Sequence, residues 1–249
     1  MWLVRWEGYD RLAWEVDVWV WGLPPPGPLA FVCEWPARHI PETRAEVDAA
    51  LVLEAAARAV PSGPIRVHRE LLCAAGLAAA DRAADAGLVP RARGHGPGVV
   101  PVALLVARTD THAVLVDGLL VYPTGFDFDL AVRRRPGRPH EHRHRPRLWD
   151  DELRLEVRFA DGRTADNDRR RWPRPSGDEV PEAPLLYQST RGPDGGHVWL
   201  WGLPPPGPLV FACQWPTEQI PPSQAELNAG LVLAAAARAQ TLWPDQAPP

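Results

Sequence analysis

Apolar and polar residues alternate with a period of two over several stretches of this chain, the mark of strands with one buried face. In "FDFDLAVR", Phe126, Phe128, Leu130 and Val132 fall on one side, and Asp127 and Asp129 on the other. "LRLEVRFADG" repeats the pattern, with Leu153, Leu155, Val157 and Phe159 set against Arg154, Glu156 and Arg158. Such alternation implies antiparallel strands with one face toward water. Two longer apolar runs, "VVPVALLVAR" and "HAVLVDGLLVY", flank a short "TDT" and predict a hairpin; "ADGR" at 160–163 predicts a tight turn. Pairing of the two alternating strands across the segment between them would set Asp127 and Asp129 against Arg154 and Arg158 as cross-strand ion pairs.

A different period rules 61–98. "VHRELLCAAGLAAADRAADAG" fits one helix, with Leu71, Ala75 and Ala78 on one side and Asp81, Arg82 and Asp85 toward water. Gly87 and Pro90 stop it, and "RARGHGPG" reads as a flexible join.

The ends of the chain repeat one another. Between residues 18–59 and 198–239, 28 of 42 positions are identical without a gap. Each copy runs from an aromatic strand ("VWVW" or "VWLW") through "GLPPPGPL" to a second strand ("LAFVCEW" or "LVFACQW"). Proline lacks an amide hydrogen and fixes φ, so the triple proline reads as a rigid connector between strands; a polyproline II ligand is the alternative. The following "IPETRAEVDAALVLEAAARA" and "IPPSQAELNAGLVLAAAARA" read as helices. Thr43 with Glu46, and Ser223 with Glu226, have capping-box spacing. Cys33 and Cys213 lie in step with Phe31/Trp35 and Phe211/Trp215, which places both thiols on a buried face. Trp19/Trp21 and Trp199/Trp201 share faces at strand period, as core pairs or as platforms for stacking a ligand.

The expected fold is therefore α+β and mainly β: an antiparallel β-sandwich-like domain with a C-terminal helix, preceded by a duplicated half-unit and a helical linker. The expected boundaries are a half-repeat at 1–60, a helical linker at 61–98, a complete β-rich domain at 99–244 and a tail at 245–249. The half-repeat lacks the strands that open the complete domain, leaving sheet edges to be filled in cis or in trans.

Composition narrows the function classes. The 249 residues carry a net charge of −4, which argues against a general affinity for nucleic acid or anionic membranes. All 27 basic residues are arginine, a bias matched by the alanine and proline excess of a GC-rich genome. No apolar run approaches the ~18 residues of a membrane helix, and the N-terminal "MWLVRWEGYD" lacks a secretory h-region. Three cysteines without an export signal imply reduced thiols in a cytoplasm.

The densest chemistry is "RRRPGRPHEHRHRPR" at 133–147, in which Arg133, Arg134, Arg135, Arg138, Arg143, Arg145 and Arg147 outnumber Glu141. Arginine forks suit phosphate, so nucleic acid or another polyanion is a candidate ligand; a solvated insertion is the plainer reading. His140, His142 and His144 alternate as ligands on a strand would, but the flanking arginines repel a cation, so no metal and no cofactor is expected. Asp127 and Asp129, paired carboxylates on one face, have a geometry that can serve acid–base chemistry or a hard cation, although cross-strand ion pairs explain them without catalysis. The chain carries no nucleophile elbow, Walker loop, dinucleotide fingerprint, H-E-x-x-H or C-x-x-C motif. This favours a non-catalytic interaction or scaffold module, with an unknown protein partner or self-association through residues 1–60. Polyanion binding and an enzyme without a recognisable motif are the alternatives.

The segments "YPTGFDFDLAVR", "RLEVRFADGR" and "WLWGLPPPGPLVFACQWPTEQIPPSQAELNAGLVLAAAARAQTLWP" resemble a family of actinobacterial proteins in which Y-P-T-G-F, F-A-D-G and W-P-L-P-P-P-G-P-L-x-F-x-C-E-W-P recur in this order. The resemblance covers about residues 99–244. Cys213 and Trp215 match its string, Gln214 replaces its glutamate, and Glu34 keeps it in the first copy. The family has no established activity, so the resemblance implies a shared fold and no mechanism. The extra copy at 1–60 departs from its single-copy pattern.

Overall fold

The computed structural model describes residues 2–10, 13–20, 22–59, 95–135, 153–168, 184–192 and 195–243. The expected linker helix, most of the arginine-rich segment and the 245–249 tail lie outside the described residues. Contacts divide the chain into two units, Met1–Cys73 and Ala74–Pro249.

The first unit holds two hairpins and a helix. Strand β1 (Trp2–Asp10) pairs antiparallel with β2 (Ala13–Val20), and β3 (Pro28–Trp35) with β4 (Ile40–Asp48), each pair a separate two-stranded sheet. Helix α1 (Ala50–Arg58) follows at once.

The second unit is a two-sheet antiparallel β fold with a C-terminal helix. Its strands are β5 (His95–Gly96), β6 (Gly98–Arg108), β7 (His112–Tyr122), β8 (Gly125–Arg134), β9 (Arg154–Arg158), β10 (Thr164–Asp166), β11 (Leu185–Gly192), β12 (Gly195–Trp201), β13 (Pro208–Trp215) and β14 (Ile220–Asn228). Helix α2 (Ala229–Ala236) and β15 (Gln240–Thr241), which pairs with β5, complete it. One sheet has the order β11-β12-β8-β7-β6 and the other β10-β9-β13-β14. β14 runs beside β6, and β10 beside β11, so the two sheets approach each other at both margins.

The core lies between the sheets. Phe126, Phe128, Leu130 and Val132 of β8 enter it, as their alternation predicts, and meet Leu155 and Val157 of β9 and Phe211 of β13. The Phe128 and Phe211 rings pack edge to face at 5.3 Å. On β7 a bulge at Gly118, with φ +51°, shifts the phase of the strand. Val114 and Val116 before it and Leu119 and Val121 after it therefore all face inward.

The proline segment connects the two sheets. It leaves β12 in the five-stranded sheet and enters β13 in the four-stranded one, turning at Gly202 (φ +91°) and Gly207 (φ +130°). The first copy turns alike, at Gly22 (φ +96°) and Gly27 (φ +126°). In both, the second glycine's carbonyl accepts an amide hydrogen at the start of the helix: Gly27 from Ala49, just before α1, and Gly207 from Ala229, the first residue of α2, each at 2.9 Å.

The expected long helix after the second strand is corrected. Residues 40–48 and 220–228 form strands, and only 50–58 and 229–236 are helical. A single 3-10 turn, ending in a left-handed residue (His39 or Gln219, both φ 56°), folds each strand back on its partner. Thr43 and Ser223 are thus strand residues, and the Thr43 hydroxyl donates to the Cys33 carbonyl at 3.1 Å. The helix ends are instead held by Asp48, which accepts from the Ala50 amide at 2.9 Å, and Asn228, which accepts from Gly230 at 2.8 Å. Pairing with a neighbouring strand has overridden the helical propensity of "AEV" and "AEL". Among the described residues no helix is long and apolar enough to cross a membrane.

Candidate interaction site

The candidate site is a surface of the first unit, and its covered counterpart in the second unit shows what it lacks among the described residues. In the second unit β13 lies between two strands: Val210–Gln214 pairs with β9 on one edge, and β14 occupies the other. Its inward residues Leu209, Phe211, Cys213 and Trp215, with Ile220 and Leu227 of β14, are buried against the five-stranded sheet. Helix α2 lies over β6 and β7 and adds Val232 and Ala235. Gly98 permits this, since a side chain there would collide with the Ala235 carbonyl.

In the first unit β3 and β4 keep the same register, from Pro28↔Asp48 to Trp35↔Ile40, yet β3 has no neighbour on its other edge among the described residues. Among the described residues of that unit, no strand covers the face that carries Phe31 and Trp35. Phe31 is 60% exposed where Phe211 is 0%, and Trp35 is 37% exposed where Trp215 is 0%. Val52 on α1 is 38% exposed, against 0% for Val232. The free edge, Leu29–Trp35, carries no proline and one charge, Glu34, so it is unguarded against strand addition.

The differences between the copies spare this face. Fourteen of the 42 aligned positions differ, and at twelve of them the residue of the second copy is not buried. The other two, Val20/Leu200 and Val47/Leu227, exchange one aliphatic side chain for another. The first copy thus retains the inward surface of a domain core without the strands that make one in the second unit.

No family model, curated protein or solved structure matches the chain.

The cysteines report the same contrast. Cys213 is buried, and desolvation pushes its thiol up to about 11. Cys33 is exposed, which corrects the expectation that both thiols sit on a buried face. Cys33 alternates along β3 as Cys213 does along β13, but among the described residues of the first unit no second sheet lies over it.

Asp127 and Asp129 are not where the sequence places them. β8 pairs with β7 and β12, whereas β9 belongs to the other sheet, so neither aspartate opposes Arg154 or Arg158. Both carboxylates face His197 of β12 instead. His197 Nδ1 is 3.0 Å from Asp129 Oδ1, and its Nε2 is 3.1 Å from Asp127 Oδ1. Asp127 is only 1% exposed, although it points away from the main core, and Trp199, packed edge-on against Tyr122 at 5.7 Å, is buried on the same face. Each ring nitrogen lies within ion-pair distance of a carboxylate, and the Nδ1 contact to Asp129 has hydrogen-bond geometry while the Nε2 contact to Asp127 does not. We read the group as a clamp between β8 and β12. A histidine two residues before the tryptophan pair was its only signal in the sequence.

A second histidine joins the two sheets. His112 Nδ1 contacts the Thr111 hydroxyl at 2.9 Å, and its Nε2 lies 3.3 Å from Glu218 Oε2 in the turn after β13. At the position of Glu218 the first copy has Arg38, whose guanidinium stacks on Trp35 at 5.6 Å.

Of the arginine-rich segment, Arg133 and Arg134 end β8, and Arg135 follows them. Arg133 Nη2 lies 3.6 Å from Asp117 Oδ2, and Arg135 donates to the Asp110 carbonyl at 3.5 Å. Arg138, Arg143, Arg145 and Arg147, with the three alternating histidines, lie outside the described residues. Among the described residues no cluster of His, Cys, Asp or Glu could hold a metal ion.

Proposed function

We propose that this chain is a non-catalytic cytoplasmic interaction module, in which residues 1–60 take up a protein partner and the second unit is a self-sufficient β domain. The observation that carries the reading is Phe31, 60% exposed at a position where the same sequence elsewhere in the chain seals its phenylalanine at 0%. An exposed aromatic, a tryptophan and an open apolar strand edge on one surface mark an association site. The non-catalytic part is supported by the buried His197 and Asp127 and the partly exposed Asp129 facing one another across β8 and β12.

The test is native mass spectrometry of the chain isolated from its own host, beside a Phe31→Asp variant. A defined complex that disappears in the variant is the expected result. A bare monomer, or a complex indifferent to Phe31→Asp, would refute the reading.

A further inference from the structure

Resting on that reading, we propose that the partner is a separate polypeptide built like residues 95–168, which supplies the missing half of a second domain of this fold. The first unit runs strand, strand, proline turn, strand, strand, helix, the order in which the second unit runs from β11 to α2. It has no counterparts of β6–β10 among the described residues. Those five strands are what cover β13, β14 and α2: β9 along the edge of β13, with the β6–β8 sheet across the face.

A second copy of this chain is a poor occupant. Each chain carries two C-terminal halves and, among the described residues, a single set of β6–β10, already engaged by β13 and β14. Exchange between copies uncovers one half for every half it covers.

Charge gives the partner two further features. Gln214 pairs in register with Arg154, so the equivalent Glu34 calls for a basic residue opposite it on the strand that adds to β3. Glu218 meets His112, so Arg38 in its place calls for a carboxylate where residues 95–168 have His112. The incoming strand runs antiparallel to β3 along Ala30–Glu34, in the register β9 takes on β13, with apolar residues facing Phe31 and Cys33 as Val157 and Leu155 face Phe211 and Cys213.

The experiment co-expresses the full chain with a tagged fragment spanning residues 95–168, either wild-type or His112→Glu, and follows alkylation at each cysteine by peptide mapping. A 1:1 complex in which Cys33 reacts at least about tenfold more slowly, with Cys213 silent throughout, is expected. The His112→Glu fragment should outcompete the wild-type one, and Arg38→Glu in the full chain should reverse that order. A synthetic peptide of residues 153–168, which needs no fold of its own, should slow Cys33 in the same direction. Undiminished Cys33 reactivity with fragments and peptide alike would overturn the proposal. So would protection of Cys33 in the chain alone that grows with its concentration, which would assign the face to a second copy. A host complex lost in Phe31→Asp, together with undiminished Cys33 reactivity here, would keep the interaction reading and sink only this identification of the partner.

Discussion

Phe31 and Phe211 occupy the same place in the same hairpin, between the same proline turn and the same helix, yet only Phe211 is inside a core. Local rules are met equally in both copies: the registers match, the glycines turn alike, and His39 and Gln219 share a left-handed φ of 56°. What differs is the neighbour. Supersecondary structure is thus encoded within some forty residues, whereas burial, which supplies the stability, is not. Among the described residues the first copy lacks the strands that bury Phe211 and Trp215 in the second, and Phe31 and Trp35 are exposed accordingly.

The comparison breaks most sharply under paired substitution. Phe211→Asp removes a large buried ring and places a charge against Phe128, and we expect it to unfold the second unit, at a cost beyond the ~3–5 kcal/mol of a simple aromatic truncation. Phe31→Asp should leave the thermal midpoint of that unit unchanged, as read by calorimetry on the two variants. Next in size is the clamp. His197→Ala leaves the Asp127 carboxylate, 1% exposed, without its histidine, and should cost about 3–5 kcal/mol in chemical denaturation. A loss under about 1 kcal/mol would show that the clamp is ornamental.

The thiols sharpen the contrast at less cost to the fold. At pH 8 a thiol held up to about 11 is almost wholly protonated as well as buried, so Cys213 should resist alkylation until the domain unfolds, while Cys33 reacts in the native chain. Comparable rates at the two sites would contradict the burial difference.

Smallest is Asp117, whose carboxyl is raised by desolvation more than the Arg133 guanidinium lowers it. A carboxyl raised on folding favours the native state below its unfolded value, and that contribution is lost as pH rises through the folded one. Asp117→Asn should therefore stabilise the second unit at neutral pH, by under about 1 kcal/mol because the side chain is partly open to solvent. The gain should vanish in acid below the ordinary aspartate range.

The alternation in "FDFDLAVR" and "LRLEVRFADG" was enough to assign their inward residues, and "TDT" and "ADGR" were enough to locate two turns, because a period of two and turn chemistry are local signals. Beyond the hairpins at those two turns, which strand pairs with which was not legible. Consecutive strands are a natural guess for partners, but β8 and β9 lie in different sheets, and the chain returns through β12 to sit beside β8. That return brings His197 to Asp127 and Asp129, a contact across 68 residues that no local pattern encodes. The helix boundary failed for another reason: Glu42, Arg44, Ala45 and Glu46 are good helix formers, with Glu46 at capping-box spacing from Thr43, and a turn closed by left-handed non-glycine residues leaves no mark in the sequence. The open face was half legible. Its apolar period and the lack of opening strands were plain, and the exposure of Phe31, Cys33 and Trp35 needed the structure.

Hydrogen exchange within one molecule tests the central claim most directly, because the two copies then share every condition. The account predicts that amides of residues 209–215 exchange only through opening of the whole second unit, while those of 29–35 exchange faster by orders of magnitude in the isolated chain. Equal, strong protection of both segments in the monomer would contradict it, since the first copy would then have a core of its own.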